Sequence, residues 1–249
     1  MLRVRTLLTW LMMCTAAFGL PHTEIRLIDT SSLDSPVKLS GVATFSDEPS
    51  KLFRYEYKTT AYVNNVSQKS VLLLVARVRF TGAGGFDLDN AREDDYFFAE
   101  DLLGAGKTQT LKDSFGPASA PQAKTALATT DPQATASVLF VQFIDGSTWG
   151  ELAAGKHMLE IRSLTWEKLR SLAETYRTNG EGQFLLALSR YSDLPAVASL
   201  QRTYESTKDS RGVVAKMTNM LRYADMHAKE ARLSPGDIGT HSPPSKSRP

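Results

Sequence analysis

Alternating apolar and polar residues predict several β-strands in the first 150 positions. Residues 37–45 and 53–58 place apolar side chains at every second position, which is the period of a strand with one buried face. Residues 71–80 begin as an unbroken apolar run and end in alternation, so we expect a strand buried first on both faces and then on one. A further strand, 138–144, precedes Asp145-Gly146, a dipeptide typical of a tight turn.

After Gly150 the apolar period changes to three or four residues, which is typical of amphipathic helices. We expect four helices, the first ending at Asn179-Gly180 and the third capped by Asp193. Their apolar faces carry Trp166, Leu169, Leu172 and Tyr176 in the first helix, Phe184, Leu188 and Tyr191 in the second, Leu194, Val197, Leu200 and Tyr204 in the third, and Val213, Met217, Met220, Ala224 and Ala231 in the fourth.

These elements predict an α+β protein, with an antiparallel β-sandwich followed by a C-terminal bundle of about four helices. The predicted β-sandwich domain spans 20–150 and the helical domain 151–233. Within the first, the Ala-, Pro-, Ser- and Thr-rich segment 113–136 is expected to be a flexible loop insertion. The Ser- and Pro-rich segment 234–249 is expected to be a disordered tail.

Residues 1–19 have the pattern of a secretory signal peptide. Arg3 and Arg5 precede a short apolar run, and small residues follow at 16, 17 and 19. An uncleaved anchor and lipidation at Cys14 are the alternatives, although the run is short for a spanning helix and a large residue, Met13, precedes the cysteine. Cleavage would remove the single cysteine, so the mature protein would form no disulfide and is expected in the periplasm, on the envelope or outside the cell.

Charge argues against nucleic-acid and nucleotide partners. Residues 20–150 carry 12 basic and 16 acidic side chains and residues 151–233 carry 13 and 10, so neither half has the concentrated positive field that a phosphate backbone requires. Gly106-Lys107-Thr108 resembles the end of a phosphate-binding loop, but Asp101 stands where that loop needs glycine and a strand is expected to follow.

Three turn motifs resemble those of immunoglobulin-like or fibronectin-like β-sandwiches in uncharacterised exported bacterial proteins. They are Asn65-Val66-Ser67, the loop 103–108, in which Ala105 replaces an expected proline, and the segment 143–150, which ends in Asp-Gly-Ser-Thr-Trp-Gly. The resemblance covers the β-region and implies an immunoglobulin-like fold in an envelope setting. It implies no catalytic residues, because a fold does not determine a function.

An acidic stretch between 87 and 101 is the best candidate for a ligand site. Asp87, Asp89, Asp94 and Asp95 are candidate calcium ligands, because Ca²⁺ prefers carboxylate and carbonyl oxygens. The helix–loop–helix calcium spacing is not met, since Arg92 occupies its glycine position. A solvated acidic loop is the simpler interpretation, and no other cofactor is expected.

Enzymatic motifs are sparse. The chain has no Gly-x-Ser-x-Gly motif and only four histidines, His22, His157, His227 and His241, so no hydrolase triad or zinc site is indicated. Paired carboxylates of a glycosidase type are not identifiable by spacing alone. The tripeptide beginning at Asn65 has the form of a glycosylation acceptor, but we interpret it as a turn.

The sequence therefore favours an exported envelope protein that acts as a non-catalytic interaction or scaffold module. Its partner would be a protein or another envelope component, and no transmembrane segment is expected after signal cleavage. Two alternatives stay open. One is an envelope hydrolase that uses carboxylates on glycan or peptide substrates, and the other is a helical docking module.

Overall fold

β-Strands form the first part of the chain and α-helices the second in the structure, a computed structural model that describes residues 22–48, 54–81, 87–115 and 133–232. The strands are β1 His22–Asp29, β2 Val37–Glu48, β3 Arg54–Asn65, β4 Val71–Thr81, β5 Asp87–Asp95, β6 Thr108–Phe115, β7 Gln133–Phe143 and β8 Thr148–Gly150. The helices are α1 Leu152–Arg190, α2 Pro195–Thr207 and α3 Ser210–Glu230. The predicted signal peptide, 1–19, and tail, 234–249, lie outside the described residues.

One mixed sheet replaces the predicted antiparallel sandwich. The strands follow the order β5-β4-β7-β1-β2-β3-β6, and β8 pairs with β7. The pairing of β1 with β7 is parallel, whereas the other pairings are antiparallel. The sheet curls into a half-barrel, so the prediction of a plain antiparallel immunoglobulin-like sandwich is wrong.

The N-terminal strand explains this error. Residues 22–26 of β1 pair with β2, and its last residues, 27–29, pair with β7. The strand thus joins two groups of strands that would otherwise form separate sheets. Alternation identifies a strand and its buried face, but it carries no information about which strand lies beside it.

The apolar pattern of β4 is confirmed, and it places the strand at the centre of the protein. Its first six residues are buried and its later residues alternate between buried and exposed. Leu74 and Val78 point into the core enclosed by the curled sheet, whereas Leu73 and Val75 pack on the other face with residues of α1 and α3. A strand buried on both faces requires apolar residues at successive positions, and residues 71–76 form such an apolar run.

Three helices are present among the described residues instead of the predicted bundle of about four. The first two predicted helices are the two parts of α1, which meet at a kink where Gly180 has non-helical backbone angles, a φ of 76° and a ψ of −177°. The predicted cap at Asp193 is also wrong: α2 begins after Leu194, with Pro195 in its first turn, a position that proline tolerates well.

The helices do not stand apart from the sheet. The apolar cluster on the outer face of β4 and β7 includes Met158 and Trp166 of α1 and Ala224 and Ala228 of α3. Because one core is shared by strands and helices, the two halves contact each other through buried apolar surface, to which the ion pair of Arg162 with Asp95 is added. None of the described helices is both long and apolar enough to cross a membrane.

Two connections can be compared with their predictions. The predicted loop insertion 113–136 is strand at both ends, because β6 continues to Phe115 and β7 begins at Gln133, while 116–132 lies outside the described residues. The predicted turn at Asp145-Gly146 is confirmed. The Gly146 amide donates to the Phe143 carbonyl at 3.0 Å, and Gly146 has a φ of 82°, which an L residue rarely adopts.

Two glycines of α1 give a matched stability prediction. A Cβ atom at Gly155 would lie 2.3 Å from Cδ1 of the buried Phe140 ring, whereas a Cβ at Gly182 meets nothing within 4 Å. We expect Gly155→Ala to lower the free energy of unfolding by about 1–3 kcal/mol, since overpacking outweighs the gain in helix propensity. Gly182→Ala should raise it by about 0.5–1 kcal/mol. Urea unfolding of both variants tests this, and effects of the same sign would contradict the packing described for Gly155.

Candidate functional site

A cavity of about 490 Å³ lies where the end of β5 meets the three helices. Its apolar walls include Phe98 after β5, Met158 and Ile161 of α1, and Met220 of α3. Cavities of this size that are mainly apolar and carry a few polar groups are the usual form of a small-ligand or side-chain binding pocket. The cavity is therefore the candidate functional site.

Polar groups enter the cavity from two sides. Glu93, Asp94 and Asp95 border it along β5, and Thr165 of α1 and Ser199 of α2 border it from the helices. Asp94 pairs with Arg92, and Asp95 pairs with Arg162, which also lines the cavity, so Glu93 is the carboxylate on this side that has no ion pair among the described residues. A ligand that fills this space would therefore present apolar surface to the helices and a positive charge toward Glu93.

A buried arginine fixes the wall between the sheet and α1. Arg162 has no exposed surface, and its Nε and Nη2 donate to the two carboxylate oxygens of Asp95 at 3.0 and 2.8 Å. Its Nη1 donates to Oε1 of Gln142 on β7 at 2.5 Å. The bidentate geometry holds a planar guanidinium in one orientation. The network therefore positions α1 against β5 and β7 at the base of the cavity.

An aromatic cluster continues this wall. The Phe97 ring, fully buried, lies 5.3 Å from Trp166 and 5.2 Å from Phe98, in edge-to-face geometry. The Arg162 guanidinium lies 4.8 Å from the Phe97 ring centroid, within cation–π range. Phe97 consequently joins the arginine network to the helices.

His227 attaches α3 to the same point. Its ring is buried and its Nδ1 lies 3.0 Å from the Phe97 carbonyl oxygen, so Nδ1 carries the proton and donates it. Its Nε2 is buried without a hydrogen-bond partner in the described part of the chain. The histidine is thus a packed residue that orients α3, and it does not line the cavity.

A lysine of α3 contacts hydroxyl groups of α2, one of which, that of Ser199, belongs to a residue lining the cavity. The half-buried Nζ of Lys216 donates to Ser199 Oγ at 2.9 Å and to Thr203 Oγ1 at 3.0 Å. A lysine beside a serine occurs in some hydrolases, but Ser199 lies within α2, where backbone amides are engaged in the helix and supply no oxyanion donors. The pair orients a hydroxyl group at the cavity wall.

The four predicted calcium ligands lie on a strand instead of the expected loop, at the sheet edge formed by β5. Asp89 pairs with Arg77, Asp94 with Arg92 at 2.8 Å, and Asp95 with Arg162. Hydrogen bonding to Arg77 holds the pKa of Asp89 below its usual value. The side chain of Asp87 lies outside the described residues. No group of three or more His, Cys, Asp or Glu side chains in the described ranges is arranged to hold a metal ion, and the calcium hypothesis stays a prediction.

Tyr96 closes the inner end of the β5 region. Its hydroxyl donates to Oε1 of Gln109 on β6 at 2.5 Å, which connects the two end strands of the sheet. Burial, followed by the charge of Asp94, raises the pKa of the Tyr96 phenol above its usual range, so it stays neutral at physiological pH and serves as a hydrogen-bond donor.

The turn interpretation of Asn65 agrees with its surroundings. The residue is fully buried, and its Oδ1 accepts hydrogen bonds from the amide and hydroxyl of Ser67 at 3.0 and 2.6 Å. Its Nδ2 lies within 3.0 Å of the carbonyl oxygens of Lys69, Leu103 and Gly104. The amide therefore joins two loops and is not accessible for glycosylation in the folded protein.

Sequence reasoning did not identify Arg162, Phe97 or Gln142. A signal was present for the arginine: Arg162 lies four residues before Trp166 and seven before Leu169, so it falls on the apolar face of α1. A charged residue in that position requires a buried partner. Its partner, Asp95, was instead assigned to a calcium site because the distance between the two in sequence conceals their contact.

Comparison with known proteins adds no family to these observations. Searches against protein-family models, curated proteins and solved structures gave no match for this chain. The candidate site therefore rests on its own geometry: an apolar cavity with the carboxylate of Glu93 at the β5 side and walls positioned by Arg162 and Phe97.

Proposed function

We propose that this protein is an exported binding module of the cell envelope, and that the cavity beside β5 receives a side chain of its partner. The observation that carries the proposal is the cavity of about 490 Å³, which combines apolar walls with the exposed carboxylate of Glu93. The signal-like prefix 1–19 supports the location. The role is recognition, since the polar groups at the cavity are suited to orienting a ligand.

The fixed walls of the cavity support a binding role. Arg162 and Phe97 are held by several buried contacts each, so the cavity is formed before a ligand arrives. Preformed sites lose less conformational entropy on binding than sites that must be ordered. Met158 and Met220 leave two flexible apolar side chains in the wall, which adapt to the shape of an occupant.

The proposal predicts site-specific crosslinking. A photoreactive phenylalanine analogue at Ile161, which lines the cavity, should give a saturable adduct with an envelope component in cells. The same analogue at Leu186, which is 49% exposed on the same helix and does not line the cavity, is the control and should give none. Mass spectrometry of the adduct would identify the partner.

A second variant makes the crosslinking result specific. Ala196→Trp places a large ring in the cavity from α2 and should abolish the adduct at Ile161 while leaving the thermal midpoint close to that of the parent. Deletion of the helices is unsuitable as a test, since it would expose Leu72, Leu73 and Phe140 to water. Equal adducts at both positions, or an adduct that persists in the Ala196→Trp variant, would overturn the proposal.

A further inference from the structure

The cavity lies along the outer edge of β5 and not over one face of the sheet. Four consecutive residues, Glu93, Asp94, Asp95 and Tyr96, border it. Successive side chains of a strand point to opposite faces, so consecutive residues border one cavity only where the backbone edge itself faces it. β5 ends the strand order of the sheet, and within the described ranges its one strand partner is β4.

The register shows which backbone groups of β5 face outward. The Tyr96 amide donates to the Leu72 carbonyl at 3.0 Å, and two residues earlier Asp94 stands opposite Leu74. Hydrogen-bonded pairs alternate with non-hydrogen-bonded pairs in an antiparallel ladder. The N–H and C=O groups of Glu93 and Asp95 therefore point away from β4. No backbone hydrogen bond from another described residue reaches them.

Charge indicates what would pair with this edge. Asp94 and Asp95 are balanced by Arg92 and Arg162, but Glu93 is exposed and has no ion pair within the described part of the chain. A residue directly opposite Glu93 on an added strand would lie on the same face as its carboxylate. A basic residue in that position is favoured, and an acidic one is disfavoured.

We propose that β5 accepts an extended segment of a partner protein as an additional strand, with an apolar side chain in the cavity and a basic residue opposite Glu93. Strand addition to an exposed edge supplies main-chain hydrogen bonds for affinity, and pockets beside the edge select side chains. The inference rests on the proposed binding function and specifies its partner as an unfolded or extended basic–apolar peptide.

Peptide display against the full chain provides the probe. Linear peptides selected from a random library should show a two-residue sequence period. Basic residues should recur on one face of the extended peptide, and an apolar residue should occupy the position that reaches the cavity. Fluorescence anisotropy of a selected peptide then measures its Kd. Selected peptides with a helical three-to-four residue spacing, or the absence of any selected peptide, would contradict strand addition.

A proline tests the backbone contact without breaking the existing ladder. The Glu93 amide faces outward, so Glu93→Pro removes a donor from the free edge, a place where strands tolerate proline. We expect the variant to keep its thermal midpoint and to bind the peptide about tenfold or more weakly. Unchanged affinity in a folded Glu93→Pro variant would overturn the proposal.

N-methylation of the peptide gives a readout that does not depend on protein folding. Methyl groups on the amides that face β5 should abolish binding, whereas methyl groups on alternate amides should not, because only the former donate across the new ladder. Equal effects of the two methylation patterns would contradict the strand geometry.

Two charge-reversal variants test whether the partner places a basic residue opposite Glu93. Glu93→Lys should weaken binding about tenfold, and the difference should shrink in high salt. Glu181→Lys makes the same charge change at an exposed α1 position away from the cavity and should have no effect. Equal losses in both variants would show a non-specific charge effect.

The crosslinking experiment separates failure of strand addition from failure of the binding function. If the Ile161 adduct forms but survives Glu93→Pro, strand addition fails while the binding function stands. If no adduct forms, the binding function itself fails.

Discussion

Replacement of Arg162 by methionine is expected to destabilise the protein by about 3–5 kcal/mol, because removal of one member of a buried ion pair leaves the other uncompensated. Arg162 is fully buried and the Asp95 side chain is 11% exposed. The substitution also removes the donor to Oε1 of Gln142, which is 3% exposed. Urea unfolding, monitored by circular dichroism, would measure the loss.

A double-mutant cycle separates the ion pair from packing. In Asp95→Asn/Arg162→Met the buried charge is absent, so we expect the double variant to lose less stability than the two single losses added together. Arg177→Met is the control, since Arg177 pairs with Glu174 on the surface of the same helix at side-chain exposures of 73% and 57%. Exposed pairs contribute little, and this variant should unfold like the parent. Additive losses in the cycle would contradict the coupling between Arg162 and Asp95.

Local structure in this protein is well encoded by short-range patterns. The apolar period gives β4 its double-sided start and α1 its buried face, which carries Trp166 and Leu169. Asp145-Gly146 forms the predicted turn because glycine supplies the positive φ that the turn requires. These features depend on residues within a few positions of one another, which is the information that a sequence pattern contains.

Long-range pairing accounts for what could not be predicted. The parallel contact of β1 with β7 joins Leu27 to Ala134, more than 100 positions away, and nothing in either strand specifies the other. The kink at Gly180 shows the same limit: the sequence predicts the break at this glycine, but it does not predict that the helical segments on its two sides meet as one kinked element. The buried pair of Asp95 with Arg162 likewise joins distant segments, so its acidic member could not be distinguished from a metal ligand by composition.

The acidic stretch illustrates how context changes the chemistry of a residue. Asp94 and Asp95 are adjacent in sequence, yet they occupy opposite faces of β5 and pair with different arginines. Glu93, which was not a candidate ligand, is exposed at the edge of the cavity. Whether a carboxylate here is available to a ligand depends on whether an arginine already pairs with it. A count of acidic residues in the sequence does not show which carboxylates are paired.

Phe97→Ala should be the second strongly destabilising change, with a cost of about 3–5 kcal/mol for a buried phenylalanine. The ring contacts Trp166 and the Arg162 guanidinium, so its loss opens a cavity at the contact between the sheet and the helices. Hydrogen exchange should show faster opening in α1 and α3, with the core enclosed by the curled sheet less affected.

Phe98 is the matched comparison, because neighbouring side chains serve different purposes. Phe98 is half-buried and lines the cavity, so Phe98→Ala should lower the free energy of unfolding by only about 1–2 kcal/mol. The same substitution enlarges the cavity and should weaken binding of the selected peptide. Phe97→Leu retains most of the buried volume and should recover part of the stability lost in Phe97→Ala. The position of each ring relative to the cavity predicts a large loss of stability at Phe97 and a large loss of peptide affinity at Phe98. Equal stability losses and equal affinity losses at the two positions would contradict this division between a structural residue and a binding residue.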